Sequence, residues 1–588
     1  MNRSPFLRAA TALGLGALAL GTVATTSTPA SACGGFFCSQ VPIDQMGEDI
    51  IFGYGANGTV TAQILINYTG EAKDFAWILP VPSKPEISIG SNAAFQVIRG
   101  MTQPSWYLQW NYDNAGQCGG WFYYPEAAAG GVDDDGSNQG GVTVVESKDV
   151  GPFATVILES SSTEELVQWL NDNGYDQPAE STPLIDHYVR QHMMFVALKL
   201  KQNESSGSIQ PIVLEMQEDD PCVPLVLTQI AATPDMPVRT YILGDHRVVP
   251  TNWMHVVLNE KKIDWLHYGQ NYTDLVTQAV NEAAGHGFVT EYAGSSGLLH
   301  QQLYREGQFD LARLAALTSP AAFVDELLRQ GFPRDTTMQG LLRKYIPMPQ
   351  SLVDQGVDER SFYNNLDGYD LSGIEFDAQG FVDDLEERVI TPLRETQDLF
   401  DASPYLTRLF TTVSPEEMDR DPVFVQNPDL GDVSNQHTAM AQAVCDDANP
   451  QTIDQVVITF ANGDTVTVDG PFDNFCPYCG GDPIDLAPTE PAAARIELIG
   501  RTGQPVLVDP GMVAEVDKAL GTKNPETVLN EVVTGVITPP PTTTSTGRNG
   551  DGYGCAGGGD ATAPLAAALG LFGLAVLRRR RAATTTRG

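Results

Sequence analysis

Val60, Ala62, Ile64, Ile66 and Tyr68 alternate with Thr59, Thr61, Gln63 and Asn67. A period of two turns one row of side chains to a core and the other away from it, which a strand satisfies and a helix does not. The same habit recurs in short runs at residues 75–79, 154–158, 194–200, 224–227, 239–243 and 255–258, with Pro and Gly between them. Residues 50–258 therefore read as mostly β. One helix interrupts them. Ser161 or Ser162 caps it, Glu164 and Glu165 fill its first turn, Leu166, Trp169 and Leu170 share a face, and Gly174 stops it.

From residue 272 to 413 the period becomes that of helices. Leu275, Val276, Ala279 and Val280 form one stripe, Leu311, Leu314 and Leu317 a second, and Phe323, Leu327 and Leu328 a third that Gly331 and Pro333 end. Residues 385–410 read as helical, broken at Pro392 and Pro404. A β pattern returns at residues 456–460, turns at Asn462-Gly463-Asp464, and continues through Val466 and Val468, with a last run at 496–499. The expected class is α+β, in three parts. These are a β-rich, sandwich-like module over 33–260, a mainly helical region over 261–420, and a small β-containing region over 421–537.

Both ends carry addresses. Arg3 and Arg8 precede an apolar stretch of small residues, and a polar segment ends in Ala30-Ser31-Ala32. That is an export signal over residues 1–32, cleaved between Ala32 and Cys33. Residues 538–554 are a Pro/Thr/Gly linker with little to bury. Cys555 follows in a glycine-rich setting. An apolar run then starts at Ala563, ends at Leu577, and is closed by Arg578, Arg579, Arg580 and Arg581. Its length is short of the roughly 20 residues a spanning helix needs, and the arginines hold that end on the cytoplasmic side.

With 74 acidic and 34 basic residues the net charge is −40. Such a chain repels nucleic acid, so no nucleic-acid partner is expected. The acidity fits a salty habitat or a supply of carboxylates for calcium equally well. The loop over 130–141 carries Asp133-Asp134-Asp135-Gly136 but lacks the spacing of an EF-hand and reads as a plain loop.

Cysteines follow the pattern of an oxidising compartment. The disulfide candidates are Cys33, Cys38, Cys118, Cys222, Cys445, Cys476 and Cys479; without Cys555 they are seven, so one thiol pairs outside the chain or is free unless Cys33 is acylated. Cys476-Pro477-Tyr478-Cys479 resembles the glutaredoxin active site, yet Gly480-Gly481-Asp482-Pro483 cannot begin the helix that would activate its thiol. A tight disulfide, half of a zinc site and a redox centre all stay open for it. No cofactor is otherwise expected, calcium and zinc being the metals left open.

Other motifs yield structure before chemistry. Gly53-Tyr54-Gly55-Ala56-Asn57-Gly58 matches a dinucleotide fingerprint in letters only, because a strand and not a helix follows; it is a hairpin turn. Trp106, Leu108, Trp110 and Tyr112 alternate with Tyr107, Gln109 and Asn111, so this aromatic segment is a half-buried strand before it is a sugar-stacking platform. Asp245-His246-Arg247 and His255 are candidates for a site assembled in space. Signatures of serine hydrolases, zinc peptidases and phosphate-binding loops are missing, and no catalytic residue is assigned.

The opening Ala32-Cys33-Gly34-Gly35-Phe36-Phe37-Cys38, with Glu48-Asp49-Ile50-Ile51-Phe52 and Phe75-Ala76-Trp77-Ile78-Leu79-Pro80-Val81-Pro82, resembles the bacterial family domain of unknown function 2330. The likeness extends from Cys33 to roughly Gln350, and the family brings no activity with it. The order of linker, Cys555, apolar helix and arginine cluster resembles the sorting tails of myxobacterial surface proteins. That likeness implies Cys555 as a lipid anchor to the membrane, with the helix cut away. A retained tail anchor is the alternative.

The expected function is a surface-anchored envelope protein with a binding, adhesion or structural ectodomain and an unknown surface ligand or protein partner. The alternatives are an extracytoplasmic hydrolase, a thiol oxidoreductase using Cys476 and Cys479, and a calcium-dependent binder.

Overall fold

The computed structural model describes residues 44–55, 58–69, 76–111, 143–175, 177–201, 209–445, 453–472 and 484–535. The chain is α+β and is organised on one mixed sheet of ten strands. From edge to edge these are Val506–Leu507, Ala493–Leu498, Met254–Leu258, Gly287–Ser295, Tyr405–Val413, Met236–Gly244, Asp44–Tyr54, Thr59–Thr69, Ile212–Gln217 and Glu86–Ile89. Strands from the β-rich, the helical and the C-terminal stretches of the sequence thus share one sheet.

Local chemistry accounts for much of it. Asp44–Tyr54 and Thr59–Thr69 form the expected antiparallel pair, with Gly58 in the left-handed region at φ 71°. Ser162 caps the helix Thr163–Asp172 by accepting the Glu165 N–H, and Gly174 follows it at φ 68°. Ile453–Thr459 and Thr465–Phe472 make the expected hairpin, turning through Gly463 at φ 88°.

Three layers cover the central sheet. The sheet of Ala76–Val81, Met194–Leu200, Phe153–Glu159 and Thr143–Val150 packs on its N-terminal half, with Trp77, Leu79, Val196 and Phe153 meeting Val60, Ala62 and Ile64 in a sandwich-like core. Helices between residues 311 and 402 bury Leu314, Phe323, Leu341 and Phe381 with Ile51, Tyr241 and Leu406. At the other end, the sheet of Thr465–Phe472, Ile453–Thr459, Gln436–Cys445 and Ser105–Asn111 joins the helix Tyr272–Glu282 over Val256, Val289 and Phe410.

Several expectations fail. Residues 224–227 are not a strand: Leu225–Thr228 is one turn of helix, buried throughout, with its Val226 N–H donating to Asp421. Residues 405–410, read as the end of a helix, belong to the strand Tyr405–Val413. Gly287–Ser295, in the same helical stretch, is a strand as well. Tyr405–Val413 is buried on both faces after its first residue, so it carries no alternation and periodicity alone cannot separate it from a buried helix. At Pro392 the helical run is not ended but changes pitch: a π turn over Glu386–Ile390 joins Ala378–Leu385 to Thr391–Ala402, in whose first turn the proline stands.

Candidate functional site

Between the central sheet and the small sheet that begins at Ser105 lies a cleft of two adjoining cavities, of about 270 and 290 Å³. Both are lined by Pro104, Trp106, Tyr272 and Glu291. Trp106 stacks on His437 at 3.9 Å between ring centroids and meets Trp265 edge-on at 5.2 Å. This close packing requires Gly269, at φ 78°, since a Cβ there would sit 2.2 Å from the indole. Tyr107 and Tyr268 remain exposed and touch edge to face.

The first cavity is cationic. Arg99, Arg239 and Arg408 line it. Arg408 and Glu291 are buried together as an ion pair, and Tyr272 donates its hydroxyl to Glu291 at 2.7 Å. Burial works against the Arg408 charge, but Glu291 outweighs it and raises the guanidinium above its ordinary value. Arg99 reaches Asp49 at 2.6 Å. Arg239 lies over the Phe410 ring at 4.5 Å and has no carboxylate partner among the described residues.

The second cavity holds a hydrogen-bonded row across three neighbouring strands. Glu497 and His255 face each other in register on Ala493–Leu498 and Met254–Leu258. His255 Nδ1 is 3.2 Å from Glu497 Oε2, and its Nε2 is 2.9 Å from Oγ1 of Thr290 on Gly287–Ser295. Arg495 donates to the other Glu497 oxygen at 2.7 Å, and Arg247 donates to Thr290 Oγ1 at 3.2 Å. The register shifts between Thr290 and Tyr292, and Thr290 and Glu291 both line this cavity, as a bulge allows.

The charges of this row follow from its contacts. Burial raises the Glu497 carboxyl, but the bonds from His255 and Arg495 overcome it and hold it at about 2. Burial is the larger influence on His255 and lowers it, favouring neutral imidazole. A carboxylate at Nδ1 requires the N–H there, which leaves the lone pair on Nε2. Thr290 must then donate its proton to Nε2 while accepting from Arg247.

Of the residues singled out in the sequence, His255, Arg247 and Trp106 come together here. Asp245 and His246 do not: they are exposed, and their backbone N–H groups donate to Gln426. Cys222 and Cys445 are disulfide-bonded. Ala32, Cys33, Cys38, Cys118, Cys476, Cys479, Cys555 and the tail from Ala563 through Leu577 to Arg578, Arg579, Arg580 and Arg581 lie outside the described residues, as does the acidic loop at 130–141. Among the described residues no helix is long and apolar enough to cross a membrane, and no cluster of three His, Cys, Asp or Glu is arranged to hold a metal. Sequence reading missed Thr290, Glu291, Arg408 and Glu497, because no motif connects them and only strand pairing brings them together.

No curated protein and no solved structure matches this chain. The expected family likeness is found over a shorter range than residues 33–350: residues 29–298 match the model of the family described as an uncharacterized protein conserved in bacteria, DUF2330.

Proposed function

We propose that this is an exported, surface-held bacterial envelope protein whose ectodomain binds a small anionic ligand in the cleft beside Trp106. The observation that carries the reading is Arg239. In a chain of net charge −40, a half-buried guanidinium without a carboxylate partner among the described residues lines a cavity together with Arg99 and Arg408. A carboxylate or phosphate would complete it, with aromatic faces beside it for the body of the ligand.

Export and anchoring rest on the signal ending at Ala32 and on the Cys555 tail. Protease shaving of intact cells, followed by mass spectrometry of the mature N-terminus and of Cys555, tests that part. Binding is tested by calorimetry of the purified ectodomain against dicarboxylates, uronic acids and phosphate esters. R239Q is expected to weaken the best ligand about 10- to 100-fold, the worth of a charge-assisted hydrogen bond. Unchanged affinity in R239Q, or no binder in the panel, overturns the reading.

A further inference from the structure

We propose that Thr290 is a nucleophile, with His255 as its general base and Glu497 as a positioning residue, and that the cleft hydrolyses a carboxylic ester bearing an anionic group. The inference rests on the cleft as a binding site and adds chemistry to it. The row Glu497, His255, Thr290 has the logic of an acid-oriented imidazole beside a hydroxyl, recognised by geometry and not by chain order. Here the three come from three adjacent strands, at 3.2 and 2.9 Å, and all three line one cavity.

The direction of each proton in the row is set. Glu497, held by Arg495, fixes the Nδ1–H tautomer, and Arg247 donates to Thr290 Oγ1, so the threonine proton is directed at Nε2. A hydroxyl kept only for structure would be served by either partner alone. The bulge after Thr290 accompanies the appearance of both Thr290 and Glu291 on the cleft wall. The adjoining cavity, with Arg239 in its lining, would seat the anionic group of the substrate.

In the reaction, Thr290 Oγ1 bonds to the ester carbonyl carbon as its proton passes to His255 Nε2. The bond from that carbon to the alcohol oxygen breaks, and the alcohol leaves with the proton. Water then attacks the acyl carbon and gives a proton to the same imidazole. The acyl–Thr290 bond breaks, the proton returns to Oγ1, and the carboxylic acid departs. The Arg247 guanidinium, 3.2 Å from Oγ1, offsets the negative charge that gathers at the tetrahedral centre.

The test uses the whole ectodomain with two probes, p-nitrophenyl acetate and mono-p-nitrophenyl succinate. The expected result is a burst of p-nitrophenolate, faster with the succinate ester, and an acyl group mapped by mass spectrometry to Thr290. T290V and H255Q should lower the burst rate about 100-fold or more, while T290S retains it. The rate should fall with pH as His255 is protonated, below the ordinary imidazole range. Glu497, Arg495 and Arg247 are the charged groups acting on that titration, and E497Q should move the profile to still lower pH as well as slow the burst. Folding of each variant is checked by thermal melting, and mapping on the unaltered chain needs no variant. An unacylated Thr290 in the unaltered chain, or an equal burst in a folded T290V, overturns the proposal. If calorimetry still finds an anionic ligand in that case, the relay alone falls; if it finds none, the binding reading falls with it.

Discussion

A groove in the helical region contrasts with the cleft at Trp106. The groove, of about 510 Å³, is floored by Val324, Leu327, Phe332, Met338 and Leu342 and rimmed by Arg334, Arg343 and Arg360, all within residues 324–364. Each of the two cavities at Trp106 is about half that size, and together they draw their lining from Arg99 to Pro505. The groove's arginine pair is half-exposed: Arg343 meets Glu359 through two nitrogens, at 2.6 and 2.7 Å, with both side chains in reach of water. The cleft's pair, Arg408 and Glu291, is only 3 % exposed at each residue. The difference teaches that a helical hairpin builds a local groove whose charges are optional, whereas charges set into a central sheet must be satisfied by distant partners or the sheet suffers.

That contrast can be broken by mutation. R408M removes one partner of a buried pair and strands Glu291 between Tyr272 and the sheet, so we expect a loss of about 3–5 kcal/mol in urea unfolding. R408M/E291Q should recover part of it. An R408M loss under 1 kcal/mol would mean that water reaches the pair and that the cleft is no more demanding than the groove.

The second prediction compares the two ends of the central sheet. At Glu497 the carboxyl is held low, at about 2, so its stabilising effect is present above its ordinary value of 4.5 and is lost as pH falls toward 2. At Glu48, and across from it at Asp421, burial raises both carboxyls to about 7. The folded chain then keeps protons that the unfolded chain has released, so stability falls as pH rises from about 4.5 to about 7. The Glu48 share of that slope is about 3 kcal/mol, at about 1.4 kcal/mol per pKa unit. E48Q should flatten it when urea midpoints are measured at pH 5 and pH 7.5; an unchanged slope would assign the effect elsewhere.

The smallest effect is expected in the groove. R343A should cost less than about 1 kcal/mol, because a solvent-screened pair offsets little more than the entropy of holding it. A larger loss would make the groove a second site of structural tension and erase the contrast.

Legibility in the sequence followed the same division. The hairpin at Gly58, the cap at Ser162 and the αL stop at Gly331 are decided within a few residues and were readable. The strands Gly287–Ser295 and Tyr405–Val413 were not, because burial on both faces removes the alternation that marks a strand. Of the site, His255 and Arg247 could be suspected as reactive residue types. Thr290 and Glu497 carry no such mark, since a threonine and a glutamate in strands are ordinary until a neighbouring strand supplies a histidine.

By itself, then, the sequence determined what short-range forces decide: the α+β composition, the turns and caps, the net charge of −40, and the terminal segments that read as export and anchoring signals. Only the tertiary structure decided which strands share the central sheet, and therefore that Arg99, Arg239, Thr290, Arg408 and Glu497 surround one cleft. The reason is physical. Propensity and periodicity act over a few residues, whereas strand order is set by burying several apolar faces at once, a condition on the whole chain that no local window contains.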